Sequence, residues 1–296
     1  MGFFKKSAKR SYNLFGTYDN YIPDVSGVVV LMVMFLVGSL LASIVILLVS
    51  KFFSVTAAQQ YGIMLSYPVM FIPAMLYASA MSHRNAGFEP AVSVDSSHWG
   101  RYKGWQWAFI VTVTTLALAF VSDGITALLP PMSEKMENMM KMLLDGPFWA
   151  TFISVSVFAP FFEEWLCRGM ILRGLLQKYN PVTAICVSAL CFALIHGNIW
   201  QGLVAFLSGC VFGYVYYRTG SLKLTMLMHF VNNTFSLVLS RIGVGEGLEN
   251  FFQLMSVWAY VLIMLCALLI LFCAYLALRS VPLVDRRGNC DINEVV

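Results

Sequence analysis

Apolar residues run along this chain in long stretches separated by short polar turns, near 27–49, 61–80, 105–128, 148–174, 182–196, 199–217, 222–239 and 254–278. Most approach the ~20 residues that an α-helix needs to cross a bilayer. The pattern therefore predicts an all-α integral membrane protein, a bundle of about eight transmembrane helices. The stretch 182–196 is the weakest; at about 1.5 Å per residue it reaches only ~22 Å and reads as a short, cavity-lining span. Residues 132–144 mix Met and Leu with Glu, Lys and Asn before stopping at Asp145-Gly146-Pro147, the pattern of an amphipathic helix on the outer surface. Residues 83–104, with His83, Arg84, Glu89, His98, Arg101 and Lys103, read as a solvated cytoplasmic loop.

Composition removes the soluble alternative. Hydrophobic residues make up 59% of the chain and charged ones 11%, where a soluble domain carries roughly 25% charged residues. The basic residues then set the orientation. With the N-terminus in the cytoplasm, Lys5, Lys6, Lys9, Arg10, Arg84, Arg101, Lys103, Arg173, Lys178, Arg218, Lys223, Arg279, Arg286 and Arg287 fall inside, and only Lys51, Lys135, Lys141 and Arg241 fall outside. Such an excess follows the positive-inside rule and predicts a multi-pass plasma-membrane protein with both termini cytoplasmic. The net charge of +4 thus reflects topology and attraction to anionic lipid, with no nucleic-acid partner implied. The seven cysteines include no C-x-x-C pair and six lie in spans, where they act as small apolar residues.

Four regions follow. Residues 1–25 are an interfacial cytoplasmic segment, with aromatic and basic residues and no apolar core of a cleavable signal. Residues 26–147 hold the first helices and the surface helix, 148–240 the chemistry-bearing core, and 241–296 the last helix and a cytoplasmic tail.

That chemistry stands in three constellations within apolar stretches: Glu163-Glu164-x-x-x-Arg168, Phe192-x-x-x-His196 and His229-x-x-x-Asn233. A charged side chain at mid-membrane is disfavoured by about 2.5–3.5 kcal/mol on insertion scales, so such groups should face a polar cavity in the bundle interior. Counting from the cytoplasmic ends at ~1.5 Å per residue places Glu163 roughly 16 Å up, Glu164 about 15 Å, Arg168 about 9 Å, His196 about 21 Å, His229 about 12 Å and Asn233 about 18 Å. Residues from three helices therefore share one layer and can meet.

Within each constellation, i and i+4 lie on one helix face. Glu164 can pair with Arg168, while Glu163, turned by about 100° from its neighbour on a 3.6-residue helix, is left for a different task. A carboxylate, an imidazole and water make a general-base site; a second imidazole with an amide donor suits an oxyanion hole. Attack by activated water fits, because no serine or cysteine sits in a nucleophile motif. Each element also has a structural reading: an intramembrane salt bridge, core histidines, and Asn233 as interhelical glue.

The stretches Glu163-Glu164-Trp165-Leu166-Cys167-Arg168-Gly169, Phe192-Ala193-Leu194-Ile195-His196 and Met228-His229-Phe230-Val231-Asn232-Asn233 resemble the motifs of the CPBP family, the CAAX prenyl proteases and bacteriocin-processing or immunity proteins also called Abi. All three appear in order, on separate spans, and the resemblance covers roughly residues 148–237. Cys167 stands where the family usually has an aromatic or aliphatic residue before the arginine. The resemblance implies an intramembrane endopeptidase acting on a membrane-associated peptide or protein. Glu163 would activate water held with help from His196, Glu164 and Arg168 would orient the site, and His229 and Asn233 would stabilise the oxyanion.

Members are commonly labelled metalloproteases, yet H-E-x-x-H is absent. We favour a metal-free, glutamate-dependent site with no cofactor; zinc, if bound, would sit on Glu163, His196 and His229. The rival reading is a non-catalytic self-immunity factor or membrane scaffold of the same family, for which intact motifs are not needed. A transporter would show broken helices in two similar halves, and the sequence has no such repeat.

Overall fold

A computed structural model describes residues 14–88, 90–144, 146–241 and 255–283. Each apolar stretch read from the sequence is helical. In chain order they are α1 (Val25–Phe52), α2 (Val55–Asn85), α3 (Gly104–Thr126), the surface helix α4 (Glu134–Leu144), α5 (Phe148–Leu175), α6 (Pro181–Leu194), α7 (Ile199–Thr219), α8 (Leu222–Arg241) and α9 (Val257–Arg279). Six of them, α1, α2, α3, α5, α7 and α9, are long and apolar enough to span a bilayer. The other two of the expected eight differ for separate reasons. Helix α6 has 14 residues and is the short span anticipated. Helix α8 has 20 residues, but His229, Asn232, Asn233 and Thr234 along it reduce its apolarity.

Helix starts follow the local sequence. Asp24, Ser54, Asn180, Asn198 and Ser256 each accept a hydrogen bond from the backbone N–H three residues on, satisfying a donor the helix cannot pair internally. At Asp24 the Ser26 hydroxyl and the Gly27 N–H together hold the carboxyl at about 2. Gly220 closes α7 in the left-handed region at φ 63°, a conformation that a side chain would disfavour.

The ends of the helices alternate between two faces of the bundle. At one face Arg173, fully buried, donates to the carbonyls of Tyr18 (2.9 Å), Tyr21 (2.6 Å) and Val92 (2.6 Å). Tyr216 donates to Val94 O at 2.8 Å, and Arg218 donates to the carbonyls of Leu278 and Arg279. The N-terminal segment, the 90–99 loop, the α5 and α7 ends and the α9 end are thus tied together. At the opposite face Arg241 donates to Gly146 O (2.5 Å) and Trp200 to Pro130 O (3.0 Å). Both α6 and α8 therefore run from one face to the other, as eight crossings require. The segment 242–254 and the C-terminal tail beyond 283 lie outside the described residues.

Two parts of the first face depart from a simple solvated loop. Val92 and Val94 are wholly buried, and their carbonyls accept hydrogen bonds from the Arg173 and Tyr216 side chains. Phe15 and Tyr21 are buried in the main core, so the described part of the N-terminal segment packs into the bundle.

Helix α5 is the centre: 61% of its apolar span is buried, against 17% for α9 and 22% for α1. The outer helices present Val, Leu and Ile side chains such as Leu36, Leu40, Leu262 and Leu269 outward, the surface that lipid would cover. The chain is a multi-pass membrane protein.

Candidate active site

Helix α5 is not a uniform α-helix. It is wound as a π-helix over Ile153–Phe158 and again over Trp165–Leu172, with an α-helical piece, Ala159–Glu164, between. Pro160 accounts for the first distortion. Proline has no N–H and its ring collides with the carbonyl four residues back, so the turn widens ahead of it. The N–H of Ala159 accordingly bonds Ser154 O, five residues back. The carbonyl of Val155 would take its partner from residue 160 in such a ladder, where no N–H exists. Asn233 on α8 fills this position, donating from Nδ2 to Val155 O at 2.8 Å. Asn232 in turn donates to Asn233 Oδ1 at 3.2 Å, which fixes the amide orientation. A backbone defect in a membrane helix is tolerated when a neighbouring helix supplies such a partner.

The adjacent carboxylates, buried at the end of the α-helical piece, have different partners. Glu164, fully buried, holds Arg168 Nη1 at 2.8 Å and His229 Nδ1 at 3.0 Å on the same oxygen, Oε1. The carboxylate only accepts, so Nδ1 of His229 carries the proton. Arg168 is itself fully buried; its Nη2 reaches Gly209 O at 3.3 Å and its guanidinium lies 4.4 Å from the Phe192 ring centre. Gly209 permits that approach: a Cβ there would lie 2.9 Å from Ala189 Cβ and 3.4 Å from Arg168 Nη2.

Glu163 is 7% exposed. Its Oε1 accepts a hydrogen bond from the Tyr67 hydroxyl of α2. Among the described residues its Oε2 has no hydrogen-bond partner, and it faces His229 Nε2 at 3.9 Å. Two polar atoms at that separation do not bond each other, but a single water can bond both.

His196 stands apart. Its Nδ1 pairs with Phe192 O at 2.8 Å and its ring meets Phe192 edge to face at 5.1 Å. Phe192 touches His229 in the same manner at 5.4 Å. Among the described residues no hydrogen bond or ion pair joins His196 to Glu163, Glu164 or His229. The structure thus brings together Glu163, Glu164, Arg168 and His229, sets Asn233 against α5 beside them, and leaves His196 across the Phe192 ring. Among the described residues no three of His, Cys, Asp or Glu stand together as a metal-ligand set, so Glu163, His196 and His229 do not converge as one. The six described cysteines are free.

Tyr67 was not among the residues singled out from the sequence. Its signal was a hydroxyl in an apolar stretch, Leu65-Ser66-Tyr67-Pro68, which by itself is common in membrane helices.

Comparison with known proteins finds similarity in the same part of the chain. Residues 145–235 match the family described as Type II CAAX prenyl endopeptidase Rce1-like. A protein of Bacillus subtilis (strain 168) named "Putative membrane peptidase YdiL" is 27% identical over 95 residues, which cover 32% of this chain and 39% of that protein. No solved structure matches the chain. The matched residues take in the two glutamates, Arg168, both histidines and Asn233, and over this region the chain is similar to the Type II CAAX prenyl endopeptidase Rce1-like family; the chain spans about two fifths of the length of the curated relative it matches.

Proposed function

We propose that the protein is an intramembrane endopeptidase that hydrolyses a membrane-associated peptide or protein with water activated by Glu163. The observation that carries the reading is the facing pair, Glu163 Oε2 and His229 Nε2, buried and 3.9 Å apart. With its proton on Nδ1, His229 offers a lone pair at Nε2. A water between the two donates one hydrogen to each and keeps an oxygen lone pair free to attack. Glu163 takes the proton as the oxygen bonds the carbonyl carbon. It returns that proton to the amide nitrogen as the C–N bond breaks, releasing an amine and a carboxylic acid. Glu164, screened by Arg168, fixes the imidazole orientation. Asn233 uses one N–H on Val155 O; its second is the donor we assign to the oxyanion.

The direct test compares membrane proteomes of cells carrying wild type and Glu163→Gln. An uncleaved precursor should accumulate in the variant; identical membrane proteomes at equal protein abundance would overturn the reading.

We propose a metal-free site. Zinc needs three or four ligands at about 2.0–2.3 Å, and the described His, Cys, Asp and Glu side chains offer no group of three. Elemental analysis of the purified protein should find well under one zinc per chain, with cleavage resistant to strong chelators. Stoichiometric zinc, with activity removed by chelation and restored by Zn²⁺, would reverse this.

The face tied by Arg173 and Arg218 is proposed as cytoplasmic, in the plasma membrane, from the distribution of Lys and Arg. A reporter fused after Arg287 should read cytoplasmic and one inserted within 242–250 external; the opposite pattern would invert the assignment.

A further inference from the structure

We infer that Tyr67 is a positioning residue for Glu163, so that the active site is composite, completed by a helix outside the family-matched region. The inference rests on the base role of Glu163 proposed above. Tyr67 lies on α2, 96 positions from Glu163 in the chain and well before the matched segment 145–235. Its hydroxyl donates to Glu163 Oε1, leaving Oε2 as the oxygen turned toward His229 Nε2. A carboxylate held by one oxygen cannot rotate freely about its last torsion, which is broad when unrestrained. Tyr67 therefore selects which oxygen accepts the proton and in which direction it points.

The support behind Tyr67 is rigid. Its ring stacks on Phe71 with centres 5.9 Å apart, and Phe71 stacks on Phe162, next to Glu163, at 5.3 Å. Phe71 is wholly buried and also packs on Phe35 of α1. Helices α1 and α2 approach closely where Gly38 faces Met70; a Cβ at Gly38 would fall 1.9 Å from Met70 O. The chain of contacts runs from α1 through two aromatic rings to the base. The carboxylate is held by helix α2 at Oε1, while Oε2 faces the imidazole of α8 across 3.9 Å.

Other buried side chains do not share this role. Arg173 and Arg218 bond backbone carbonyls at the far face of the bundle. Among the described residues, Tyr67 is the hydroxyl donor to the proposed base.

The experiment is a double-mutant cycle on the full chain, using the precursor identified by the proteome comparison. Tyr67→Phe keeps the ring and its stack and removes only the hydroxyl. It should lower kcat about 10- to 100-fold, the range for losing a hydrogen bond to a charged group, with KM changed less than about twofold, since substrate contacts are kept. In the Glu163→Gln background the same substitution should have no further effect, because Tyr67 acts through the carboxylate. Tyr67→Leu, which lacks the ring as well, should show the same split between kcat and KM, and serves if Tyr67→Phe accumulates poorly. Normal kcat in Tyr67→Phe, or equal losses in the two backgrounds, would overturn the positioning role while leaving the Glu163 reading intact. Full activity of Glu163→Gln itself would instead overturn the base assignment, a distinct result.

Discussion

Glu163→Gln is expected to lower kcat by about 10²–10⁴-fold, the contribution usual for a positioned general base. The substitution conserves shape, and the amide oxygen still accepts the Tyr67 hydrogen bond. What it removes is proton acceptance at the atom facing His229 Nε2. KM should change little, because the base acts on water and not on the substrate's binding groups. Helix packing should also be unchanged, since Phe162 and the rings behind it are untouched. Single-turnover cleavage of the accumulating precursor by purified protein measures the effect. A variant within a few-fold of wild type would remove Glu163 as the base, and with it the mechanism.

Arg168→Leu is expected to be the most destabilising single change in the site. Both Arg168 and Glu164 have wholly buried side chains and are joined at 2.8 Å. Removing one member of a buried pair leaves the other charge uncompensated, at about 3–5 kcal/mol. The guanidinium also fills the space over Phe192 and Phe212 and bonds Gly209 O. Apolar replacement of a whole pair is often neutral, so Glu164→Leu with Arg168→Leu should regain much of the lost thermal stability in detergent. Activity should not return, because His229 Nδ1 then has no acceptor and its Nε2 loses its aim. An unchanged melting temperature for Arg168→Leu would show that the pair contributes nothing to stability. Recovered cleavage in the double variant would sink the orienting role of Glu164.

The Glu164–Arg168 contact is legible in the sequence, because i and i+4 meet on one helix face, and it holds although part of that stretch is π-wound. The winding itself was not legible. Pro160 announces a defect in α5, but whether a proline kinks, breaks or widens a helix depends on what neighbouring helices can offer the freed carbonyl. Here α8 offers Asn233. That residue's bond to Val155 O gives it a packing role that its place in the motif does not reveal.

The histidines divide in the same way. The shared membrane layer, inferred from depth along each span, correctly brings His229 to Glu163 and Glu164. Depth says nothing of rotation about the helix axis, and the structure sets His196 against Phe192, beyond bonding distance of the carboxylates.

By itself, then, the amino-acid sequence determined the membrane class, the helix positions, the order of the motifs and the layer in which they lie. Those depend on apolar run length, 3.6-residue periodicity and residue chemistry, all of which are local. Only the tertiary structure decided that Tyr67 reaches Glu163, that His229 and not His196 shares Glu164, and that the 90–99 backbone feeds Arg173 and Tyr216. Each of these joins residues at least 65 positions apart, where the rotation and offset of packed helices set the contact and no periodicity in the chain encodes it.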